Sequence, residues 1–322
     1  MTNVLITGAN GFIGKALCAA LIADACNAEN SGIRAAVRAA AVTCDGIIPV
    51  VVGNIDATTD WTEALQAVDV VVHLAARVHV MRDGAAEPLA EFRKTNVDGT
   101  MNLARQAAQA GARRFIFISS IKVNGEFSLP GRPFTAEDNP GPVGPYAISK
   151  YEAEQALRGF TDKTTMDFVI IRPPLIYGPG VKANFYNMMR WLDKKIPLPL
   201  GAIDNRRSLL ALDNLVDLIS ICIKHPAAAN QIFLAADGED MSTAQLLQRV
   251  AAALGKTAFL IPVPMWLLTA VARMCDKTVV AQRLCSSLQV DIGKAQRLLG
   301  WIPPVSVKDA LAKTAQDYMT DH

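Results

Sequence analysis

The sequence predicts an α/β protein whose centre is a doubly wound parallel sheet, with a smaller, mostly helical lobe in the C-terminal half. Short runs of β-branched residues alternate with helical patterns, which is the arrangement expected of such a sheet. Several runs, such as Val70 to Leu74, are apolar at nearly every position, which indicates strands covered by helices on both faces. With 322 residues, 51% of them hydrophobic, the chain is long enough for two lobes.

Six of these runs are predicted strands: Val4 to Thr7, Ile33 to Val37, Val50 to Val52, Val70 to Leu74, Phe115 to Ser119 and Phe168 to Ile171. The predicted helices between them are Gly14 to Ala23, Trp61 to Ala67, Asn96 to Ala110 and Tyr146 to Arg158. The alternation stops after Arg172, where proline and glycine cluster. We therefore expect a nucleotide-binding domain formed by residues 1–173 and 209–236, and a substrate domain formed by residues 174–208 and 237–322.

Charge and cysteine content exclude several classes of function. The 32 Lys and Arg residues nearly balance the 30 Asp and Glu residues, without a basic block, so a nucleic-acid partner is not expected. The 6 cysteines form no C-x-x-C pair, and no histidine lies at metal-ligand spacing from them. We expect reduced thiols, no metal site and a cytoplasmic location.

Two apolar segments were candidates for contact with a membrane. The segment Met1 to Gly8 lacks a cationic region before its apolar run, so we interpret it as a strand rather than a signal peptide. The stretch Phe259 to Ala272 is interrupted by Pro262 and Pro264 and is shorter than the ~20 residues that a bilayer requires. Within it, Met265 to Leu268 could lie at the entrance of a substrate-binding site or on a membrane surface, although a buried helix is the favoured prediction.

A glycine-rich loop, Gly8-Ala9-Asn10-Gly11-Phe12-Ile13-Gly14, lies between the first predicted strand and the first predicted helix. Glycines at this turn allow a close approach to a pyrophosphate, which the amide groups and dipole of the helix N-terminus attract. The spacing is G-x-x-G-x-x-G rather than G-x-G-x-x-G, and an ordinary strand-helix turn is the alternative. The context predicts a Rossmann-type dinucleotide site that includes Gly8, Asn10, Gly11, Phe12, Ile13 and Gly14.

Arg38 follows the second predicted strand, where NAD-specific proteins usually carry an acidic residue that binds the ribose 2′-hydroxyl. An arginine there could instead pair with the 2′-phosphate of NADP, so NADP(H) is favoured over NAD(H). Asn54 and Ile55 follow the third predicted strand, where a residue that contacts adenine is expected. Asp56 could equally cap the next turn.

Tyr146 and Lys150 are four positions apart, so both lie on one face of a predicted helix. The Lys150 ammonium is expected to lower the pKa of the phenol, which is about 10 when unperturbed. Ser119 and Ser120 end a predicted strand at the sheet edge where ligands bind, and could hydrogen-bond the substrate oxygen that Tyr146 protonates or deprotonates. His73 lies inside an apolar strand and is predicted to be structural, because Tyr146 already fills the acid-base role.

In this order, these motifs resemble those of the extended short-chain dehydrogenases/reductases, specifically the NAD-dependent epimerase/dehydratase family that acts on nucleotide sugars. The resemblance extends over nearly the whole chain and includes His73-Leu74-Ala75-Ala76, Asn96 to Thr100, Arg172-Pro173 and Tyr177 to Gly180. It implies that Tyr146 is the acid/base, that Ser120 assists it, and that Lys150 holds the nicotinamide ribose. It also implies cofactor contacts from Leu74, Ala75, Ala76, Asn96, Ser119, Tyr146, Lys150 and Pro173.

The 4,6-dehydratases of that family carry an Asp-Glu pair directly after the catalytic hydroxyl residue, because elimination of water needs its own acid and base. Ile121 and Lys122 occupy those places here, so dehydration is disfavoured. Two reactions at C4 of a sugar remain: epimerisation with a retained NAD, and reduction of a 4-keto sugar by exchangeable NADPH.

The chain most resembles a branch of surface-polysaccharide enzymes that is often labelled UDP-glucose 4-epimerase, some members of which are 4-keto reductases. Because of Arg38, the favoured expectation is NADPH-dependent reduction of a UDP-2-acetamido-2,6-dideoxy-4-hexulose, with a UDP-glucose or UDP-N-acetylglucosamine 4-epimerase as the alternative. A hydroxysteroid dehydrogenase-like enzyme and a non-catalytic NADP sensor are more distant alternatives. The predicted substrate contacts are Lys122, Asn184, Pro199, Leu200 and Arg207, and the resemblance suggests a homodimer formed through the helices Asn96 to Ala110 and Tyr146 to Arg158.

Overall fold

A parallel sheet lies at the centre of the computed structural model, which describes residues 2–25, 32–39, 46–78, 87–129, 131–275 and 278–320. Within these ranges the strands are β1 (Val4–Thr7), β2 (Ile33–Val37), β3 (Ile47–Val51), β4 (Val70–His73), β5 (Arg114–Ile118), β6 (Asp167–Arg172), β7 (Leu175–Tyr177), β8 (Leu209–Ala211) and β9 (Gln231–Leu234). Seven of these described strands form the main sheet, in the order β3-β2-β1-β4-β5-β6-β9, while β7 and β8 form a separate parallel pair. The predicted doubly wound sheet is confirmed.

Helices surround the sheet and build the second lobe. In the described part of the chain they are α1 (Phe12–Ala25), α2 (Pro88–Arg93), α3 (Thr100–Gln109), α4 (Gly144–Thr161), α5 (Ala183–Asp193), α6 (Leu212–Lys224), α7 (Thr243–Ala253), α8 (Met265–Met274), α9 (Thr278–Cys285), α10 (Gly293–Leu299) and α11 (Val307–Thr320). A π-helical segment, Lys94–Gly99, joins α2 to α3, and Ile121–Val123 forms a 3₁₀ turn. None of the described helices is both long and apolar enough to cross a membrane.

The two faces of the main sheet are buried in two separate apolar clusters. On β1, Val4 and Ile6 belong to the cluster that includes residues of α1, α6 and α10, whereas Leu5 belongs to the cluster that includes residues of α3 and α4. This division follows from the alternation of side chains along a strand. Burial on both faces explains why the strand sequences are almost continuously apolar.

The ends of the sheet differ from the prediction. β3 begins at Ile47 rather than Val50, because it pairs along its full length with β2, from Ile33↔Ile47 to Val37↔Val51. Pro49 is compatible with this position because β3 is an edge strand, where a missing N–H group is tolerated. At the opposite edge, β9 is a strand that was predicted only as part of the returning segment 209–236.

The predicted helix from Trp61 to Ala67 is wrong, because this segment forms a series of turns. The Asp60 carboxylate accepts hydrogen bonds from the backbone N–H and the hydroxyl of Thr62, which favours a local turn. Ala67 has a positive φ of 56°, which is incompatible with a continuing helix. Trp61 and Leu65 are nevertheless buried against the sheet, so the hydrophobic pattern reflects packing rather than a helix.

The other predicted helices are confirmed, with longer bounds. The segment Gly14 to Ala23 lies within α1, and Tyr146 to Arg158 lies within α4. The predicted helix from Asn96 to Ala110 begins earlier, at Pro88, and passes through the π-helical segment before α3. Pro88 suits this start because proline fits the first turn of a helix.

The prediction that Met265 to Leu268 form a buried helix is wrong. These residues begin α8, in which no residue is buried. Trp266 is 71% exposed and Met274 is 87% exposed. Periodicity predicts the helix itself, but it does not reveal whether another element covers the apolar face.

A third apolar cluster forms the second lobe, with side chains from β7, β8, α5, α7 and α11. In contrast, Ala295 and Leu299 of α10 pack into the sheet cluster that includes α1 and α6. Residues of the predicted substrate domain therefore contact the main sheet directly. The division at residues 173, 208 and 236 remains a prediction.

We expect replacement of Phe233 by alanine to lower the free energy of unfolding by about 3–5 kcal/mol, because the substitution would leave a cavity against β6. The Phe233 side chain is 0% exposed on β9. Urea denaturation of the purified protein measures the change. The matched control is Phe259→Ala, whose side chain is 61% exposed and whose loss should change stability by less than about 0.5 kcal/mol. Equal effects of the two substitutions would contradict the role of β9 in the core.

Candidate active site

The predicted cofactor residues follow the carboxyl ends of neighbouring strands of the main sheet. The chain order of the strands reverses between β1 and β4, and such a switch point is where open α/β sheets bind nucleotides. The glycine loop follows β1, Arg38 follows β2, Asn54 and Ile55 follow β3, Leu74 to Ala76 follow β4, Ser119 and Ser120 follow β5, and Pro173 follows β6. The topology therefore gathers residues that are far apart in the sequence at one edge of the sheet.

The glycine loop packs closely against the segment after β4. Gly8 has φ +70°, and a Cβ atom there would lie 2.9 Å from the backbone nitrogen of Ala75. A Cβ atom on Gly14 would overlap the Gly8 carbonyl oxygen, which also accepts a hydrogen bond of 2.8 Å from the Gly11 N–H. α1 begins at Phe12, so the amides of Phe12, Ile13 and Gly14 belong to its first turn and have no partner within the helix. Asn10 is exposed at the loop tip.

A chain of buried hydrogen bonds continues from this loop. The Thr7 hydroxyl lies 2.7 Å from His73 Nδ1, and His73 Nε2 lies 2.9 Å from the Thr100 hydroxyl. The Thr100 hydroxyl donates to the Asn96 carbonyl, so Nε2 must be the protonated nitrogen of a neutral imidazole. Burial, together with the nearby charge of Lys150, lowers the pKa of His73 to about 3. His73 therefore has the structural role that the sequence predicts.

Asn96 links the segment after β4 to the start of α4. Its side-chain oxygen accepts a hydrogen bond of 2.8 Å from the Arg77 N–H, and its amide donates to the Arg77 carbonyl and the Ser149 hydroxyl. Ser149 in turn donates to the carbonyl of Tyr146. Asn96 lies in the π-helical segment, a distortion that is frequent at functional sites.

Tyr146 and Lys122 line a cavity of about 490 Å³. The side chains of Ser120 and Tyr146 share a hydrogen bond. Lys150, one helical turn after Tyr146 on α4, is buried, and its Nζ atom lies 3.9 Å from the centre of the Phe117 ring. The Ser120 hydroxyl also accepts a hydrogen bond of 3.3 Å from the Lys122 N–H. This arrangement can exchange a proton with a hydroxyl or carbonyl group in the cavity.

The expectation that Lys150 lowers the pKa of Tyr146 is wrong for the protein alone. Burial raises the pKa of Tyr146 to about 12, although the hydrogen bond with Ser120 opposes this rise. Burial also lowers the pKa of Lys150 to about 7, against the attraction of Glu154. Both side chains are removed from water, so each favours its neutral form.

A buried ion pair supports the loop that carries Ser120. Arg172 binds both carboxylate oxygens of Glu154, with a shortest distance of 2.5 Å, and the two side chains are 2% and 0% exposed. Arg172 Nη1 also donates to the side-chain oxygen of Asn124, at 2.9 Å. Glu154 and Asn124 are not among the site residues that the sequence predicts. Glu154 could have been found, because it lies one helical turn after Lys150 on the same inward face.

The geometry of this edge fits a dinucleotide. The glycine loop leaves space where side chains would collide, and the first turn of α1 presents amide groups. The Ser119 hydroxyl is buried and has no hydrogen-bond partner among the described residues. A bound group with a polar atom at this position would satisfy it. Arg38 and Asn54 are exposed at the same carboxyl-terminal edge of the sheet. The Asp56 carboxylate caps a turn, because it accepts a hydrogen bond from the Thr58 N–H.

The predicted substrate residues do not all lie together. Lys122 lines the cavity beside Tyr146 and forms an ion pair of 3.5 Å with Glu126. The other four residues lie on the second lobe and do not line this cavity: Asn184, Pro199, Leu200 and Arg207. Asn184 and Pro199 are exposed. Arg207 is partly buried, which lowers the pKa of its guanidinium. Its Nη1 atom donates a hydrogen bond of 3.2 Å to the Ser286 carbonyl.

Comparison with known proteins identifies relatives over the full length of the chain. The model of the "NAD dependent epimerase/dehydratase family" matches residues 4–236. A UDP-glucose 4-epimerase of Vibrio cholerae is 46% identical over 318 residues, which cover 98% of this chain and 95% of that protein. An N-acetyl-alpha-D-glucosaminyl-diphospho-ditrans,octacis-undecaprenol 4-epimerase of Escherichia coli O157:H7 is 28% identical over 98% of this chain and 94% of its own.

The fold is also shared with a solved structure. The crystal structure of a UDP-glucose 4-epimerase of Thermotoga maritima with UDP-glucose superposes with a TM-score of 0.78. It is 22% identical in sequence, and the match covers 99% of both chains. This similarity shows a common fold of sheet and second lobe.

We expect Lys150→Met to increase the free energy of unfolding of the protein alone at pH 7, by about 1–4 kcal/mol, because it removes a buried charge. Lys150 has an ordinary pKa of 10.5 when unfolded and a pKa of about 7 when folded. Between these values the unfolded state binds more protons, so the stability of the unmodified protein rises with pH and the advantage of the variant shrinks towards pH 10.5. Urea denaturation at several pH values measures this difference.

The matched control for this measurement is Lys224→Met, which replaces an exposed lysine at the end of α6. Its effect should not depend on pH over the same range. A Lys150→Met variant with the same pH dependence as the unmodified protein would contradict the burial of a titrating lysine.

Proposed function

The chain belongs to the NAD dependent epimerase/dehydratase family, and we propose that it is a 4-epimerase of a UDP-hexose or UDP-N-acetylhexosamine with a retained NAD. The observation that carries this proposal is the interaction of the Ser120 hydroxyl with Tyr146, which lines a cavity large enough for a sugar, with Lys150 one helical turn further along α4. The similarity of the whole chain to a UDP-glucose 4-epimerase supports the epimerase over the reductase that Arg38 favoured.

Each residue of the trio has a role that follows from its position. Tyr146 would take the proton of the C4 hydroxyl and return it, while Ser120 hydrogen-bonds the same oxygen. Lys150 would donate a hydrogen bond to the nicotinamide ribose. A bound NAD would supply the hydride acceptor at C4. Since burial raises the pKa of Tyr146 in the protein alone, the phenol holds its proton until a positive charge enters the site.

The residues after Ser120 support a reaction without loss of water. The Ile121 side chain is buried in a sheet cluster and carries no acid or base. Lys122 lines the cavity and pairs with Glu126, where it could bind a hydroxyl or acetamido oxygen of the sugar. Ile121 and Lys122 therefore occupy the two positions at which a dehydratase of this family carries its Asp-Glu pair.

For the nucleotide part of the substrate, we propose contacts on the second lobe. Arg207 and Asn184 would contact the diphosphate, and Pro199 and Leu200 would lie near the uracil. A guanidinium suits an anionic diphosphate because it donates two parallel hydrogen bonds. The named substrates of the relatives from Vibrio cholerae and Escherichia coli share a hexose that is linked to a diphosphate.

The second candidate is NADPH-dependent reduction of a UDP-4-keto sugar, which the position of Arg38 favours. Arg38 is exposed immediately after β2, where its guanidinium could pair with a 2′-phosphate. Both reactions use the same trio, so the cofactor distinguishes them. The role in surface-polysaccharide synthesis, the homodimer and the cytoplasmic location remain predictions.

We expect the purified protein to interconvert UDP-glucose and UDP-galactose, or their N-acetylated counterparts, without added dinucleotide. Tyr146→Phe should lower kcat by about 10²-fold or more, because it removes the proton-exchanging group. Nuclear magnetic resonance of the nucleotide sugars measures turnover, and mass spectrometry of the denatured protein measures the retained dinucleotide. Tyr151→Phe, on the same helix, is the matched control. Lack of interconversion of both sugars, even with NAD supplied, would refute the epimerase.

The reductase candidate leads to a separate measurement. If Arg38 binds a 2′-phosphate, Arg38→Ala should weaken NADPH binding by about tenfold or more and leave NADH binding nearly unchanged, because one charge-assisted pair is lost. Titration calorimetry of both dinucleotides tests this prediction. The matched control is Arg34→Ala, which lies within β2, just before Arg38. Equal losses for NADPH and NADH would show that Arg38 does not distinguish the two cofactors.

A further inference from the structure

An apolar surface on the second lobe is not explained by the proposed reaction. We call it the apolar patch, and its residues are Trp191, Ile196, Phe259, Ile261, Met265, Trp266, Leu267, Val271 and Met274, all of which are exposed. Five of them belong to α8, in which no residue is buried. Large exposed apolar surfaces usually mark a site of interaction.

Backbone hydrogen bonds connect the parts of the apolar patch. The Ile196 N–H donates to the Trp191 carbonyl at 3.0 Å. The neighbouring Leu198 donates to the Phe259 carbonyl and accepts from the Ile261 N–H. Pro264 then leads directly into α8. Hydrogen bonds therefore join the segments that carry Trp191, Ile196, Phe259 and Ile261, and α8 follows them along the chain.

Basic residues accompany the apolar patch. Lys194, Lys195 and Arg273 are exposed within or beside it, while Asp193 is neutralised by an ion pair with Lys256. In sequence, residues 257–285 contain three basic residues and one acidic residue: Arg273, Lys277, Arg283 and Asp276. A combination of exposed tryptophan, aliphatic side chains and basic residues is typical of a surface that lies in the membrane interface.

We propose that the apolar patch docks on an anionic phospholipid surface. The apolar side chains would enter the boundary between headgroups and acyl chains, and Lys194, Lys195 and Arg273 would contact lipid phosphates. A symmetric contact between two copies of this patch would instead bring the same basic residues together, and like charges across an interface are unfavourable. The charge of the patch therefore favours a lipid surface over a second copy of the chain.

The docking surface is structurally coupled to the candidate active site. α9 packs against α8, and Gln282 of α9 lines the cavity beside Tyr146. A protein docked through α8 would thus hold this side of the cavity close to the lipid headgroups. The proposal is independent of the reaction at C4, because docking requires only the surface.

Co-sedimentation with vesicles tests the proposal. We expect the protein to bind vesicles of phosphatidylcholine that contain phosphatidylglycerol, and to bind them more weakly at high salt, because screening weakens the contribution of the basic residues. Vesicles of phosphatidylcholine alone should bind less. The double variant Trp266→Ser, Met274→Ser should lose at least about tenfold in binding, because two apolar side chains no longer leave water.

Controls separate docking from folding and from self-association. Ile302→Ser removes a side chain that is 73% exposed outside the patch, so it should bind vesicles like the unmodified protein. Circular dichroism should show the same fold in all variants, since the replaced side chains are exposed. Equal binding of the double variant and the unmodified protein would overturn the proposal. The proposal would also be overturned if ultracentrifugation showed that the unmodified protein is a dimer and that the double variant is a monomer. A second copy of the chain would then cover the patch.

Discussion

The candidate active site depends on the buried ion pair between Arg172 and Glu154. Arg172 ends β6, Glu154 lies on the inward face of α4, and Asn124 closes the loop after β5, so one guanidinium joins three elements. These elements carry Ser120, Tyr146 and Lys150. An isolated buried charge would be strongly unfavourable, but here both charges are paired and hydrogen-bonded. The pair therefore fixes the distance between the loop and the helix.

The same burial explains the protonation of the site. Lys150 lies over the Phe117 ring, and the Glu154 carboxylate attracts it, but that carboxylate is paired with Arg172 and only partly offsets the desolvation of Lys150. Tyr146 is likewise far from water, and its pKa rises. In the protein alone, Tyr146 therefore keeps its proton at neutral pH, whereas Lys150 loses its charge as the pH rises through about 7. A positive charge introduced beside Tyr146 would favour the phenolate, which makes proton transfer dependent on occupation of the site.

Local sequence patterns predicted most strands of the main sheet and the loop and helix that follow β1, because they report local geometry. The glycine loop between β1 and α1, and the spacing of Tyr146 and Lys150, each depend on a few neighbouring residues. The pair of Arg172 with Asn124 joins positions 48 residues apart, which no periodicity indicates. Similarly, the apolar pattern at Trp61 reflects packing in the cluster that includes α3, not a helix. The apolar pattern of α8 predicts a helix but does not reveal that its apolar side chains are exposed.

The choice between epimerase and reductase depends on residues far from the reacting carbon. Ser120, Tyr146 and Lys150 can exchange a proton in either direction, so they serve oxidation of a hydroxyl and reduction of a ketone equally well. An epimerase must keep its dinucleotide through both half-reactions, whereas a reductase must exchange it after each turnover. In the proposed site, this difference would lie in how tightly the ends of β2 and β3 hold the adenosine half. Arg38 and Asn54 stand at those ends, and both are exposed. The identity of the reaction is therefore a matter of dinucleotide affinity more than of the acid-base group.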